Sequence, residues 1–310
     1  MELSQVRIIS DIARNKGKIL ESMAKYGHFA EHNFLHYTYC ESPGVKNVLL
    51  DCGKGRLILM QHDQRKNLWK LFPCGVLAPE DERTGLLLRA ADIILKEKKA
   101  KKLVVEVSEK MRREILRALS KPNGIKACKY TYTLHWPLYN MDQWDPELKG
   151  SRMKKLRNIR NRFYKRNKIT VKDSRQVPKE TLKKILLDWA SRRTMNDHVN
   201  RAYYQNLIEN GFQGLDFAKT IYVNGQPATI TAGWRIPNSR NYYSAIGIVD
   251  YSCPGLGEIA NLEDLAMLKE SGFEYVDFGG SDEILLRFKK KFKPETIYKT
   301  YTFSIVRSQD

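Results

Sequence analysis

One order of secondary-structure signals occurs twice in this chain, and that repetition restricts the fold more than any single motif. In the first half, Ile8, Ile12, Ile19 and Met23 fall at helical spacing, so residues 4–25 are expected to form one or two opening helices. Residues 47–52 and 56–61 flank Gly53-Lys54-Gly55, a short turn suited to a hairpin, and residues 68–74 follow as a third strand. Pro79 opens a helix to residue 99, with Glu80, Asp81 and Glu82 at its start and lysines at its end, as the helix dipole favours. Residues 103–107 read as a β-branched strand, Ser108 caps a helix to residue 119, and residues 126–138 return as a strand.

After residue 170 the order returns. Residues 178–192 and 200–210 have helical periodicity, with Asn200 as a cap. Residues 220–223 and 228–236 flank Asn224-Gly225, which tolerates positive φ at both central positions of a hairpin turn, and residues 241–249 form the third strand. A glycine-bearing turn at 254–257 leads into a helix over 258–271. A strand over 274–278, a helix over 281–292 and a strand over 296–306 complete the order. The halves share architecture and not residues. The expected fold is α+β, with two tandem domains, each a mixed central sheet flanked by helices. The expected division is 1–148, a connecting helix over 149–170, and 171–310. A chain of 310 residues accommodates two domains of about 150 residues.

The connecting segment is the most charged part of the protein, with ten Lys or Arg and no acidic residue from Lys149 to Lys168. Leu156, Ile159 and Phe163 can pack along one helical face while basic side chains crowd the rest, which weakens an isolated helix. Lys154, Arg157, Arg160, Arg162 and Arg166 are therefore candidate anion- or RNA-binding residues, and arginine can grip phosphate in bidentate fashion. The bland alternative is a solvated linker. The net charge of +19 points the same way, toward RNA, an anionic lipid surface, a nucleotide-linked precursor or coenzyme A.

Five scattered cysteines with no CxxC pair argue against a disulfide framework and a zinc site, and place the protein in a reducing, cytoplasmic compartment. Residues 1–18 have dispersed charges and are not expected to act as a secretory signal. No run approaches the roughly 20 apolar residues of a membrane span, so any membrane contact is expected to be peripheral. His28, His32 and His36 are spaced i, i+4, but residues 34–40 read as a strand, so no metal site is expected. There is no GxxxxGK[ST], HExxH, GxSxG or GxGxxG motif in the context its chemistry requires.

Two strand-to-helix junctions carry candidate chemistry. Gly255 and Gly257 precede a helix, where backbone N–H groups and the dipole suit a pyrophosphate, although a bare turn reads the same way. Asp277-Phe278-Gly279-Gly280-Ser281-Asp282-Glu283 opens a strand end onto a helix, with glycines permitting close substrate approach. Asp277 or Glu283 can accept a proton there, and Asp277 can alternatively cap the helix or pair with a lysine. Trp234 and Tyr243 can stack on a base or fill the core.

The basic run 150–162, the ending Tyr275-Val276-Asp277-Phe278-Gly279-Gly280, and Leu285-Leu286-Arg287-Phe288-Lys289 with Phe292 beyond it resemble the Fem family of peptidoglycan bridge ligases and the related lysyl-phosphatidylglycerol synthase catalytic domains. The resemblance spans most of the chain and implies two tandem GNAT-like domains. It also implies transfer of an aminoacyl group from aminoacyl-tRNA, as co-substrate and without cofactor or metal, to an amine or a lipid-headgroup hydroxyl. Lys289 matches the family's functional lysine, and a lysine there can stabilise an oxyanion or hold a terminal phosphate. No long coiled-coil insertion is present. Gly255-Leu256-Gly257 is also similar to the GNAT coenzyme A fingerprint, with Ser252 in place of its Gln or Arg, which keeps an acyl-CoA-dependent N-acyltransferase as an alternative. A third reading is a non-catalytic RNA-binding protein on the same scaffold.

Overall fold

The computed structural model describes residues 6–120, 124–193 and 200–308. Ser4 and Gln5 of the expected opening helix, and His198, lie outside the described residues. The chain divides into two compact units, Met1–His135 with Tyr298–Asp310, and Trp136–Ile297.

The first unit opens with a strand, β1 (Arg7–Ile9), where a helix was expected. Its backbone pairs Arg7, Ile8 and Ile9 with Asp51, Leu50 and Leu49, and only then does α1 (Lys16–Tyr26) begin. Residues 34–40, expected as a strand, form the short helix α2 (Phe34–Tyr39). The Asn33 side chain caps it by accepting from His36 N at 3.0 Å, and the fully buried Tyr37 ring anchors it. The hairpins follow as β2 (Val45–Asp51), β3 (Leu57–Asp63) and β4 (Leu68–Leu77), then α3 (Glu80–Lys96), β5 (Leu103–Ser108), α4 (Glu109–Ala118) and the short β6 (Ile125–Ala127). Leu86, Leu87, Ala90, Ala91, Ile94 and Leu95 of α3 pack on Leu103, Val105 and Val107 of β5. Ile19 and Met23 of α1 pack with Phe34 and Tyr37 on Leu49, Leu57 and Leu59, in a second core.

Strands β4 and β5 run parallel only at Trp69↔Leu103 and Lys70↔Val104. Beyond them β4 bulges, because its pairing with β3 jumps from Met60↔Leu71 to Ile58↔Val76. The bulge requires Gly75, whose Cβ would lie 2.7 Å from Phe72 O and 2.9 Å from Leu59 O. It also holds Cys74 at φ +49°. His32, 1% exposed, reaches in from the loop after α1 and places Nε2 3.2 Å from Cys74 O while Nδ1 accepts from His28 N at 3.1 Å. Burial, then the neighbouring His28, hold His32 well below the usual imidazole range. A neutral ring with its proton on Nε2 satisfies both contacts.

The second unit takes up the chain within β7 (Tyr132–Asn140), then has α5 (Lys154–Arg166), β8 (Ile169–Asp173), α6 (Lys179–Ser191) and α7 (Arg201–Glu209). Next come β9 (Phe217–Val223), β10 (Gln226–Pro227), β11 (Thr229–Arg235), β12 (Asn241–Val249), α8 (Leu256–Glu270), β13 (Tyr275–Asp277) and α9 (Glu283–Lys289), the last prolonged by a 3-10 turn over Lys290–Phe292. Its sheet order is β7-β13-β12-β11-β9-β10, with β8 paired to β9. Leu256, Ile259, Leu265 and Leu268 of α8 share a core with Leu156 and Phe163 of α5 and with Phe278 and Phe292.

Three expectations about organisation change here. The basic helix is a packed part of the second unit and not a connector, because Leu156 and Phe163 are buried in that unit's core. The expected strand over 126–138 is two strands, β6 and β7. The final strand, β14 (Thr296–Arg307), belongs from Tyr298 onward to the first unit, since Thr300 to Ile305 pair with Ser108 to Leu103 of β5. The first sheet therefore reads β1-β2-β3-β4-β5-β14, with β6 also on β14.

Candidate active site

The parallel pair β12 and β13 holds together only at Asn241↔Tyr275, Tyr242↔Val276 and Tyr243↔Asp277. Strand β12 continues to Val249 with no strand on that side among the described residues, so the two strands part immediately after Tyr243. Ala245 is the extra residue, because Ala232 pairs with Ile246 and Gly233 with Ser244. Gly233 is obligatory: a Cβ there would lie 2.0 Å from Tyr243 O. On the other strand, Gly279 turns the chain at φ +80°, and a Cβ on it would lie 3.0 Å from the Tyr243 ring. Tyr243 thus lies over the glycine at the point of divergence, with Trp234 edge-on behind it at 5.0 Å. Trp234 is 2% exposed, so its ring belongs to the core and presents no face for stacking a base.

Lys289, at the end of α9, is buried at the same point. Its Nζ donates to the carbonyls of Phe278 and, at 3.1 Å, of Gly279, which also accepts from Ser281 Oγ at 3.1 Å. Burial brings the ammonium down to about 8, against the opposing pull of the Asp277 and Asp282 carboxylates. Asp277, 1% exposed, accepts from Gly279 N at 2.7 Å, so it fixes the turn and supplies charge beside Lys289. The helix cap is Asp282, accepting from Leu285 N at 2.7 Å, which corrects the alternative of Asp277 as the cap. Glu283 is exposed in the first turn of α9 and is not among the charges acting on Lys289. Gly280 follows, half-buried.

Tyr139, which no sequence motif marked, fixes the far side of this lysine. Its Oη donates to Lys289 O at 2.7 Å and its ring packs on Phe278 at 4.3 Å. Its only sequence signal is position in the strand over 132–140, where pairing with β13 sets Tyr139 opposite Val276.

The start of α8 is differently furnished. Gly255 adopts φ +90°, and a Cβ on it would lie 3.4 Å from Ile159 and 3.5 Å from Phe163, both from α5. A Cβ on Gly257 would lie 3.5 Å from the Phe288 ring. Glu258 occupies the first turn and is paired with Lys291 at 2.6 Å, and Lys291 also lies over Phe288 at 4.9 Å. A carboxylate already complements this helix dipole.

On α5, the structure separates the basic candidates into two groups. Arg157 donates to the carbonyls of Leu148 and, at 3.2 Å, Gly150, and Arg160 donates to those of Pro146 at 2.7 Å and Glu147 at 3.4 Å. These two guanidiniums hold the preceding loop. Lys154, Arg162 and Arg166 are exposed and pair with no carboxylate among the described residues.

A parted pair of parallel strands in each of two units, each with a mixed sheet flanked by helices, defines a tandem GNAT-like fold. The chain superposes over nearly its whole length on several solved structures, among them a tandem GNAT protein from the clavulanic acid biosynthesis pathway, with a TM-score of 0.54 at 10% identity, over 99% of this chain and 100% of that one. A conserved protein of unknown function from Bacteroides thetaiotaomicron VPI-5482 matches with a TM-score of 0.69 at 16% identity, over 98% of this chain and 100% of that one. L-PGS from Bacillus licheniformis matches at 0.65 and 13%, over 95% and 92%. FemX matches at 0.61 and 14%, over 98% and 97%. No family model matches the sequence, and no curated protein matches it. No helix among the described residues is long and apolar enough to cross a membrane.

Proposed function

We propose that the protein is a Fem-like acyltransferase that moves an aminoacyl group from aminoacyl-tRNA to an amine or a lipid-headgroup hydroxyl. The observation that carries this reading is the buried Lys289 ammonium, anchored where β12 and β13 part. An ammonium has three donors, and two are committed to the Phe278 and Gly279 carbonyls. The third serves an ester oxyanion or a terminal phosphate in a site where burial strengthens the interaction.

In the reaction, the acceptor nitrogen or oxygen attacks the ester carbonyl carbon and the bond from that carbon to the ribose oxygen breaks. The acceptor's proton is lost and the ribose oxygen gains one, so the step is balanced without any further reactant. Asp277 keeps Lys289 charged, and Tyr139 and Ser281 fix the backbone around it. The exposed Lys154, Arg162 and Arg166 suit the tRNA phosphates. This donor places the reaction in the cytoplasm, with any membrane contact peripheral.

Acyl-CoA is the less supported donor, because its pyrophosphate would meet the Glu258 carboxylate at the start of α8. In its favour, Gly255 and Gly257 carry no side chain there.

The test is deacylation of a charged tRNA pool with candidate amine and lipid acceptors. Acceptor-dependent acceleration that Lys289→Met abolishes supports the reading. No acceleration over buffer with any pool, together with coenzyme A binding, replaces it with the acyl-CoA reading. RNA binding with no turnover of either donor leaves the non-catalytic reading.

A further inference from the structure

The first unit contains a polar cluster that the acyl-transfer reading does not use. On the β5 face opposite the α3 core, Glu106 accepts from Thr300 Oγ1 at 2.7 Å. Thr302, directly opposite Glu106 in the β5–β14 register, projects from the same face as Thr300. Glu31, in the loop after α1, is near enough to act on the Glu106 carboxyl, and its own carboxylate lies 3.9 Å from His36 Nε2. Phe29, two residues earlier, packs edge-on against Tyr298 at 6.4 Å, and Tyr298 lies two residues before Thr300 on β14. Burial, then repulsion from Glu31, raise the Glu106 carboxyl to about 7. The Tyr132 phenol is raised by burial and by the same two carboxylates.

Two features point to a cationic ligand. No lysine or arginine pairs with Glu106 among the described residues, although Lys and Arg number 54 in the chain. Thr302 Oγ1 is buried, at 6% residue exposure, and satisfies no hydrogen bond, the Tyr132 phenol lying beside it without a well-aligned one. A buried hydroxyl beside two carboxylates, with aromatic rings at the margin, is the complement of an ammonium group, which offers three donors and favours aromatic faces.

We infer that Glu31, Glu106 and Thr302, bordered by Phe29, Tyr298 and Tyr132, form a binding site in the first unit for a primary ammonium group. The ammonium donates to Glu106 and to the Thr302 hydroxyl, and its charge relieves the repulsion between the two carboxylates. The same chemistry is offered by a lysine side chain or by the α-ammonium of an amino acid. Neither Lys289 nor any acyl donor is needed for this binding.

The test is calorimetric titration of the full chain with Nα-acetyl-L-lysine amide, L-alanine amide and, as the uncharged isostere of the first, Nα-acetyl-L-norleucine amide. Saturable binding of at least one amine and none of the norleucine compound is expected, and the amine that binds identifies the source. Glu106→Gln should weaken binding at least tenfold, and Thr302→Val, which preserves shape, should weaken it severalfold. Equal binding of the norleucine compound overturns the inference, as does unchanged affinity in folded Glu106→Gln or no amine binding at millimolar concentration. Because the readout is binding and not turnover, a failure of the acyl-transfer reading leaves the result interpretable.

Discussion

Both units part a parallel strand pair at a bulge, yet they treat the resulting gap in opposite ways. In the first, the bulge spans residues 72–75, and His32 fills it by binding the Cys74 carbonyl and the His28 amide. In the second, a single extra residue, Ala245, opens the strands, and a buried ammonium with a donor to spare stands at the junction. A neutral ring satisfying backbone atoms is a structural solution. A desolvated cation with remaining valence is a chemical one. A duplicated architecture can thus keep its geometry while the two copies fill the gap with different groups, and the proposed chemistry uses only the second.

The largest test of that contrast is Lys289→Met, expected to lower transfer by about 10²–10³-fold, the usual cost of removing a donor from an oxyanion site. His32→Leu should leave the transfer rate within about twofold and cost about 1–3 kcal/mol of stability in chemical denaturation, because it strands a buried carbonyl and amide. If His32→Leu damaged transfer as much as Lys289→Met, the contrast would be wrong.

Next in size is the backbone of the second gap. Gly233→Ala would force a Cβ to 2.0 Å from Tyr243 O and should destabilise by about 3 kcal/mol or more, whereas Gly247→Ala on β12 meets nothing within 4 Å and should shift the melting temperature little.

The lysine also separates activity from stability as pH changes. Its cation is lost as pH rises through about 8, so transfer should decline there. Between about 8 and the ordinary lysine value of 10.5 the unfolded chain binds more protons than the folded one, so this residue's contribution to stability rises with pH over the same window. Lys289→Met should remove both slopes, measured by initial rates and by denaturation midpoints.

The smallest expected effect is on α5. Replacing Lys154, Arg162 and Arg166 with Gln should leave stability unchanged and reduce the salt slope of RNA binding by about 2–3, roughly one for each phosphate that is no longer neutralised. Replacing Arg157 and Arg160 should instead cost stability, since their donors hold the carbonyls of residues 146–150.

Local signals made much of the fold legible. Asn224-Gly225 sits in the turn between β9 and β10 with both residues at positive φ, and Glu80, Asp81 and Glu82 occupy the first turn of α3 as expected. Over residues 34–40, the aromatic composition of a strand lost to the Asn33 cap and to the burial of Tyr37, a tertiary contribution that composition does not encode. At the site, Lys289 and the Asp277–Gly280 turn were visible because they are contiguous. Tyr139 was invisible because it lies 150 residues from the carbonyl it holds. Arg157 and Arg160 looked like phosphate ligands because charge is legible and carbonyl partners are not.

The return of β14 to the first unit has a consequence for how the protein is made. Thr300 grips Glu106 across 194 positions of sequence, so on the ribosome the edge of β5 waits unpaired while the whole second unit is synthesised. An uncovered strand edge is a template for wrong partners. The second unit must emerge, and can fold, before the first is sealed, which makes the newborn first unit the part of this protein most in need of a chaperone.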